Sequence, residues 1–178
     1  AGMHRFSWDL HYDPVGGPVE QSGEAAQGAV PHRTYPTVNA PWAPAGSYTV
    51  RLTANGHSYS QPLTLKLDPR VKTPAADLSR LASLSRELYE AAKETHAEYL
   101  QARALSASLA NEQGTDVAAF RAQLDSVAPA PTRGGRGFGR RGGAAGASLS
   151  LEAASNALTA AVMALQEPDV APTASQVA

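Results

Sequence analysis

From Ala75 to Glu112 the chain carries neither proline nor glycine. A stretch of that length without a breaker reads as one helix, on the order of 55 Å long at 1.5 Å per residue. Thr73-Pro74 supplies its start, a hydroxyl cap and then proline at the first helical position, where a missing amide costs nothing. Asp77 falls in the first turn, favourable to the helix dipole. Leu78, Leu81, Leu88, Ala92, Tyr99, Ala102 and Leu109 form a near-heptad apolar stripe, widened by Leu84, Leu100 and Leu105. Gly114 stops it. Helices this long draw their stability from tertiary packing, so the stripe predicts partner helices along its length.

Candidates for those partners follow. Thr115 or Asp116 caps a short helix bearing Val117, Phe120, Leu124 and Val127 at helical spacing, ended by Pro129 and Pro131. Another spans about 149–166, with Leu151, Ala154, Leu158, Val162 and Leu165 on one stripe. Thr173-Ala174-Ser175-Gln176 has the form of a capping box. It predicts a further helix start at a point where only two residues remain, as in a bundle lacking at least one helix.

The first 72 residues read differently. Tyr48, Val50 and Leu52 alternate with Thr49, Arg51 and Thr53; Asn55-Gly56 follows, then Tyr59, Leu63, Leu65 and Leu67 at odd positions. Asn-Gly between alternating runs predicts a two-residue type I′ hairpin, both of whose loop residues need positive φ. That loop pairs Ala54 with His57, Leu52 with Tyr59 and Tyr48 with Leu63, which sets apolar against apolar. Pro62 has no amide hydrogen and belongs at an edge or a bulge. His4 to Tyr12 alternates as well, Phe6, Trp8, Leu10 and Tyr12 sharing one parity, and predicts a half-buried strand. Residues 13–46 are rich in proline and glycine and read as an irregular excursion. Three strands do not close a sandwich of about seven. The fold class expected is therefore α+β with segregated halves: a partial immunoglobulin-like antiparallel β-sandwich, N-terminally truncated, over 1–72, and an antiparallel helical bundle, C-terminally truncated, over 73–178, with a disordered Gly/Arg-rich loop at 129–148.

Composition narrows the classes. The apolar fraction is 43%, but alanine dominates it and isoleucine is absent, so the core is thin. Fifteen basic and 16 acidic residues nearly cancel. No run approaches the 18 or so apolar residues of a membrane span. Without cysteine there are no disulfides, thiolate metal sites or cysteine nucleophiles. Ala1 to Phe6 lacks the layout of a signal peptide. Arginine outnumbers lysine fourfold, which points to a GC-rich bacterial genome.

Several residues carry candidate chemistry. Asp9, His11 and Asp13 share the polar parity of the first strand and present a hard-metal or acid–base set, yet no second strand supplies a further ligand, and a half-exposed strand accounts for them. The histidines never fall at ligand spacing; His96 lies between Glu94 and Glu98 on a helix. Serines occur without a Gly-x-Ser-x-Gly elbow. Glu87, Glu90, Glu94 and Glu98 cluster near Arg86 and Lys93, the pattern of surface pairing at i,i+4 spacing rather than of two carboxylates facing a glycosidic bond. Trp8, Trp42, Tyr12, Tyr48 and Tyr59 offer a carbohydrate-stacking platform, though four of the five have the parity of the hydrophobic face. The run from Arg133 to Gly143 resembles an RGG box, whose arginines Arg133, Arg136, Arg140 and Arg141 are the candidate nucleic-acid contacts. One basic loop on an otherwise acidic chain is a weak electrostatic footprint, so a solvated connector is expected and nucleic acid is not the expected partner. No catalytic, cofactor-binding or metal-binding residue is assigned, and no cofactor is expected.

Gly2-Met3-His4-Arg5-Phe6-Ser7-Trp8-Asp9-Leu10, Pro44-Ala45-Gly46-Ser47-Tyr48-Thr49-Val50-Arg51-Leu52, and Pro62-Leu63 through Leu67-Asp68-Pro69-Arg70-Val71 together resemble the region behind the β-propellers of large bacterial BNR-repeat proteins of the sortilin type, often labelled glycosyl hydrolases. Leu165 to Gln176 is similar to the helical tail of that family. The Trp-Asp-Leu and Gly-x-Tyr-Thr-Val elements also look like the immunoglobulin-like repeat of flagellar hook-capping and secretion-sorting modules, in which one or two strands precede the Trp-Asp strand. The resemblance implies a non-catalytic scaffold or interaction region in an exported protein, secreted or periplasmic, with upstream propeller domains of the same polypeptide as its partner and a protein or carbohydrate ligand left open. The alternatives are a piece of a carbohydrate-active hydrolase and a nucleic-acid-binding module acting through the RGG-like loop.

Overall fold

The computed structural model describes residues 8–17, 40–131, 150–166 and 170–174. Within them the chain is a mixed α+β protein. Two antiparallel strands, β1 (Gly46–Ala54) and β2 (His57–Leu65), precede three α-helices: α1 (Ala75–Ser108), α2 (Thr115–Val127) and α3 (Leu151–Gln166). A single 3₁₀ turn at Leu109–Asn111 extends α1.

The hairpin has the register that Asn55-Gly56 dictates. Ala54 pairs with His57, Leu52 with Tyr59 and Tyr48 with Leu63. Asn55 and Gly56 have φ of 51° and 78°, the left-handed values that a type I′ turn requires. Pairs alternate between hydrogen-bonded and non-hydrogen-bonded along an antiparallel ladder. Counted from the turn, Pro62 opposite Thr49 falls in the second kind, so its missing amide hydrogen faces outward. On the polar face, the hydroxyls of Thr53 and Ser58 meet across the strands at 2.9 Å.

Residues 8–12 correct the strand expected over His4–Tyr12; its first part, 4–7, lies outside the described residues. Leu10 has φ of 67°. The Asp9 carboxylate accepts the His11 amide at 3.1 Å, and the Trp8 indole N–H donates to the His11 carbonyl at 2.8 Å. Short-range bonds of this kind compete with a strand ladder, and here they turn the chain. What survives is one bridge between His11 and Trp42, flanked by Tyr12 N–H to Pro41 O at 2.9 Å and Ala43 N–H to Leu10 O at 2.7 Å.

α1 starts one residue later than Thr73-Pro74 suggests: Pro74 is the capping residue, with φ −54° and ψ 142°, and its carbonyl accepts the Leu78 amide at 3.1 Å. The buried seam of α1 is Leu81, Ser85, Tyr89, Ala92, Tyr99 and Ser106. Leu81, Tyr89, Ala92 and Tyr99 supply its apolar surface, while two of its positions are serines. Leu100 and Leu105, placed on the stripe by spacing, are exposed. α3 packs along α1 through Val162 and Leu165, 1% and 4% exposed, and the Ser155 hydroxyl donates to the Ala92 carbonyl at 3.0 Å. Small residues at that crossing let the backbones approach. Ser150 caps α3 by accepting the Ala153 amide at 3.2 Å.

α2 folds back beside the C-terminal half of α1. Val117 and Leu124 are half-buried, whereas Phe120 and Val127 stay exposed. Polar contacts therefore hold much of this junction. Arg103 donates to Asp125 at 2.7 Å and to Ala128 O at 3.2 Å, Ser106 donates to Asp125 at 2.8 Å, and Tyr99 donates to Pro129 O at 3.0 Å. The hydrogen bond from Ser106, followed by those and the charge of Arg103, holds the Asp125 carboxyl below its ordinary range.

The centre of the core lies where the segments at 8–17 and 40–45 meet α1 and α3. Ala40, Tyr89 and Val162 are its fully buried members, with Tyr12, Val15 and Leu88 packed against them.

Candidate functional site

Two surfaces stand out, both at the hairpin. The first is the ribbon itself. Tyr48, Val50 and Leu52 share a face with Tyr59 and Leu63, as the alternation predicts, but among the described residues no second sheet covers that face. Val50 is 51% exposed, Leu52 62% and Tyr59 61%. Among the described residues only the root is covered: Tyr48 meets the Trp8 ring edge-on at 5.9 Å, and its hydroxyl donates to the Pro44 carbonyl at 2.5 Å. Desolvation there, with Tyr12 nearby, raises the Tyr48 phenol above its ordinary value. A two-stranded ribbon is marginal in water and needs a third strand or a packed face.

The second surface is a cleft between the hairpin root and the first turns of α1. A cavity of about 500 Å³ is walled by Tyr12, Trp42, Pro44, Leu67, Leu78 and Arg86. A smaller one of about 140 Å³ adjoins it, sharing Pro41, Trp42, Pro44 and Leu78 and adding Leu81, Ser85 and Gln166. Trp42 is held on one ring face by His11, the centroids 3.7 Å apart. From behind, its amide donates to Gln166 Oε1 at 3.0 Å. That bond settles the orientation of the Gln166 amide, because a backbone N–H can only donate. Gln166 Nε2 and Ser85 Oγ are both buried without a hydrogen-bond partner among the described residues.

The sequence-derived candidates distribute as follows. Asp9 and His11 meet, with Nδ1 3.4 Å from the carboxylate, while Asp13 contributes its backbone carbonyl to Tyr89 at 2.7 Å. Among the described residues no three histidines or carboxylates converge as a metal would require. Glu87, Glu90 and Glu94 line a shallow hollow with Arg86 on the exposed side of α1, and Lys93 lies 4.0 Å from Glu90; Glu98 is exposed on the same helix. His96 sits beside Gly16, where an added Cβ would come within 3.4 Å of the imidazole, and 6.3 Å from the Tyr99 ring. Of the proposed aromatic platform, Trp8 and Tyr48 touch, Trp42 stands on the cleft, Tyr12 packs on Tyr89 at 5.7 Å, and Tyr59 is exposed on the ribbon. Arg133, Arg136, Arg140 and Arg141 lie outside the described residues, as does the body of the loop 129–148. The capping box at 173–176 is likewise only partly described.

Ser85 and Gln166 were not legible as site residues. A serine within an apolar helical stripe and a glutamine at a helix end carry no motif, and only the packing of α1 against α3 brings them to one cleft.

No family model matches this chain, and neither a curated protein nor a solved structure is found to resemble it. No helix among the described residues is long and apolar enough to cross a membrane.

Proposed function

We propose that this chain is a non-catalytic scaffold and interaction region of the kind that lies behind the β-propellers of large exported BNR-repeat, sortilin-type proteins. The observation that supports it is the apolar face of the β1–β2 ribbon, exposed at Val50, Leu52 and Tyr59. Fully burying an aliphatic or aromatic side chain of this size is worth about 1.5–3 kcal/mol, so a face of three such residues has a strong drive to be covered. In this proposal the ribbon belongs to an immunoglobulin-like β-sandwich and the helices to an antiparallel bundle, and upstream propeller domains of the same polypeptide pack on the ribbon. The family resemblance of the Gly46–Leu52 and Pro62–Val71 segments supplies the partner and the exported location.

Titrating the chain with the separately produced propeller region tests this. A one-to-one complex is expected, weakened at least tenfold by Val50→Lys with Leu52→Lys, while the helical circular dichroism stays unchanged. Absence of a complex, or one indifferent to both lysines, would overturn it. So would turnover of oligosaccharides by the chain alone that disappears on a single carboxylate change such as Glu90→Gln.

A further inference from the structure

The cleft beside Trp42 has a chemistry of its own, separate from the ribbon face. Its walls are apolar: Pro41, Pro44, Leu78 and Leu81 around the Trp42 ring. Into this surface are set two polar groups that nothing satisfies among the described residues, Ser85 Oγ and Gln166 Nε2. Ser85 is 4% exposed. Leaving a buried polar atom unpaired is costly, and an occupant of the right chemistry would recover that cost.

The polarity of the free groups defines that chemistry. Gln166 Nε2 can only donate, since Trp42 N–H fixes the carbonyl end of the amide. The Ser85 hydroxyl is free to donate. Two rim carbonyls already have donors: Pro41 O accepts from Tyr12 N–H and Pro44 O from Tyr48 O–H. Among the described residues no carboxylate lines either cavity, and Arg86 at the rim is a third donor. A sugar brings many hydroxyl hydrogens and would leave most of them unpaired here. A tertiary amide brings an acceptor, no amide hydrogen and an apolar ring that packs on an indole.

We propose that the Trp42 cleft binds an extended, proline-containing peptide presented by a partner protein, with Gln166 Nε2 and Ser85 Oγ donating to its carbonyls. A proline-rich segment is already extended in the polyproline conformation, so little is lost on ordering it. The cleft is placed to read it on both sides, rings against Trp42 and carbonyls against α1 and α3.

The probe is the uncharged hexapeptide Ac-Ala-Pro-Pro-Ala-Pro-Pro-NH2, followed by Trp fluorescence and by amide chemical shifts of the intact chain. Saturable binding is expected, with shifts at Trp42 and the Gln166 side-chain amide. Gln166→Glu keeps the acceptor for Trp42 N–H and replaces the donor by a second acceptor; it should weaken binding at least tenfold while the helical circular dichroism at the assay temperature stays unchanged. Ser85→Ala should weaken it about three- to tenfold, in line with one hydrogen bond. Leu52→Lys on the ribbon should leave it unchanged, which separates this site from the ribbon face. No saturation at millimolar peptide overturns the proposal. Equal binding of Ac-(Ala)6-NH2, wild-type affinity in both cleft variants, or preference for a cello-oligosaccharide also overturns it, as does a high-resolution structure in which water alone bridges Ser85 and Gln166 and the peptide lies elsewhere.

Discussion

The Tyr89 hydroxyl donates to the backbone carbonyl of Asp13 across 2.7 Å, joining the middle of α1 to a segment 76 residues earlier. The same ring packs on Tyr12 at 5.7 Å and lies under the Lys93 ammonium at 5.1 Å. Burial, more than any neighbouring charge, raises its phenol above the ordinary value. Tyr89→Phe removes the bond alone and should cost about 0.5–1.5 kcal/mol. Tyr89→Ala also empties a buried site and should cost about 3–5 kcal/mol. Urea unfolding followed by circular dichroism measures both.

The α1–α3 contact should dominate stability. Leu165, 4% exposed, should cost about 2–5 kcal/mol as Leu165→Ala. Phe120 on α2 is 46% exposed, and Phe120→Ala should stay near the ±0.5 kcal/mol of a surface change. Comparable losses in the two variants would place the core elsewhere.

Acid should loosen the α1–α2 junction before it reaches the α1–α3 seam. The Asp125 carboxyl is held low by Ser106 and then Arg103. A carboxylate whose folded pKa is depressed binds fewer protons folded than unfolded, so its contribution is present above the unfolded value, near 4, and is lost as pH falls through the lower folded value. Stability of the wild-type chain should therefore drop on acidification below about pH 4, and Asp125→Asn should flatten that part of the profile. Ser106→Ala, which removes the largest cause, brings the folded value back towards the unfolded one and should shrink the drop. Thermal melts between pH 2 and 7 report all three; a profile that Asp125→Asn leaves unchanged would contradict the assignment.

Gly56 sits at φ 78° with nothing within 4 Å of an added Cβ. Gly56→Ala meets no clash, yet it places an L side chain in the left-handed region at about 1 kcal/mol. The cost should fall on the ribbon alone. Exchange at β1 and β2 should quicken several-fold while α1 is unaffected; equal acceleration in both would show that ribbon and helices unfold as one unit.

What was legible in the sequence followed from local chemistry. Asn55-Gly56 forces a turn with two positive φ values, and the register of every pair from Ala54–His57 to Gly46–Leu65 follows from it. The proline- and glycine-free run gave α1 to within a few residues. Parity failed where side chains offered the backbone other partners, as Asp9 and Trp8 do around Leu10. It failed again for burial: the apolar face of the ribbon has the pattern of an inner face but is exposed among the described residues, since alternation says which side chains share a face and not what covers them. Ser85, Ser106 and Ser155 lie in helix seams that a search for apolar periodicity passes over. There they hydrogen-bond across the packing, or, for Ser85, face the cleft.

Hydrogen exchange across residues 46–65, with and without the propeller region bound, tests the scaffold proposal most directly. In the chain alone, β1 and β2 should exchange within seconds, as expected for an unsupported ribbon, while the α1–α3 seam exchanges slowly. Binding of the propeller region should slow both strands by about a hundredfold or more, the scale of burying one such face, and leave α1 as it was. Strands that exchange equally fast in both states, or that are already as protected as α1 in the chain alone, would contradict it.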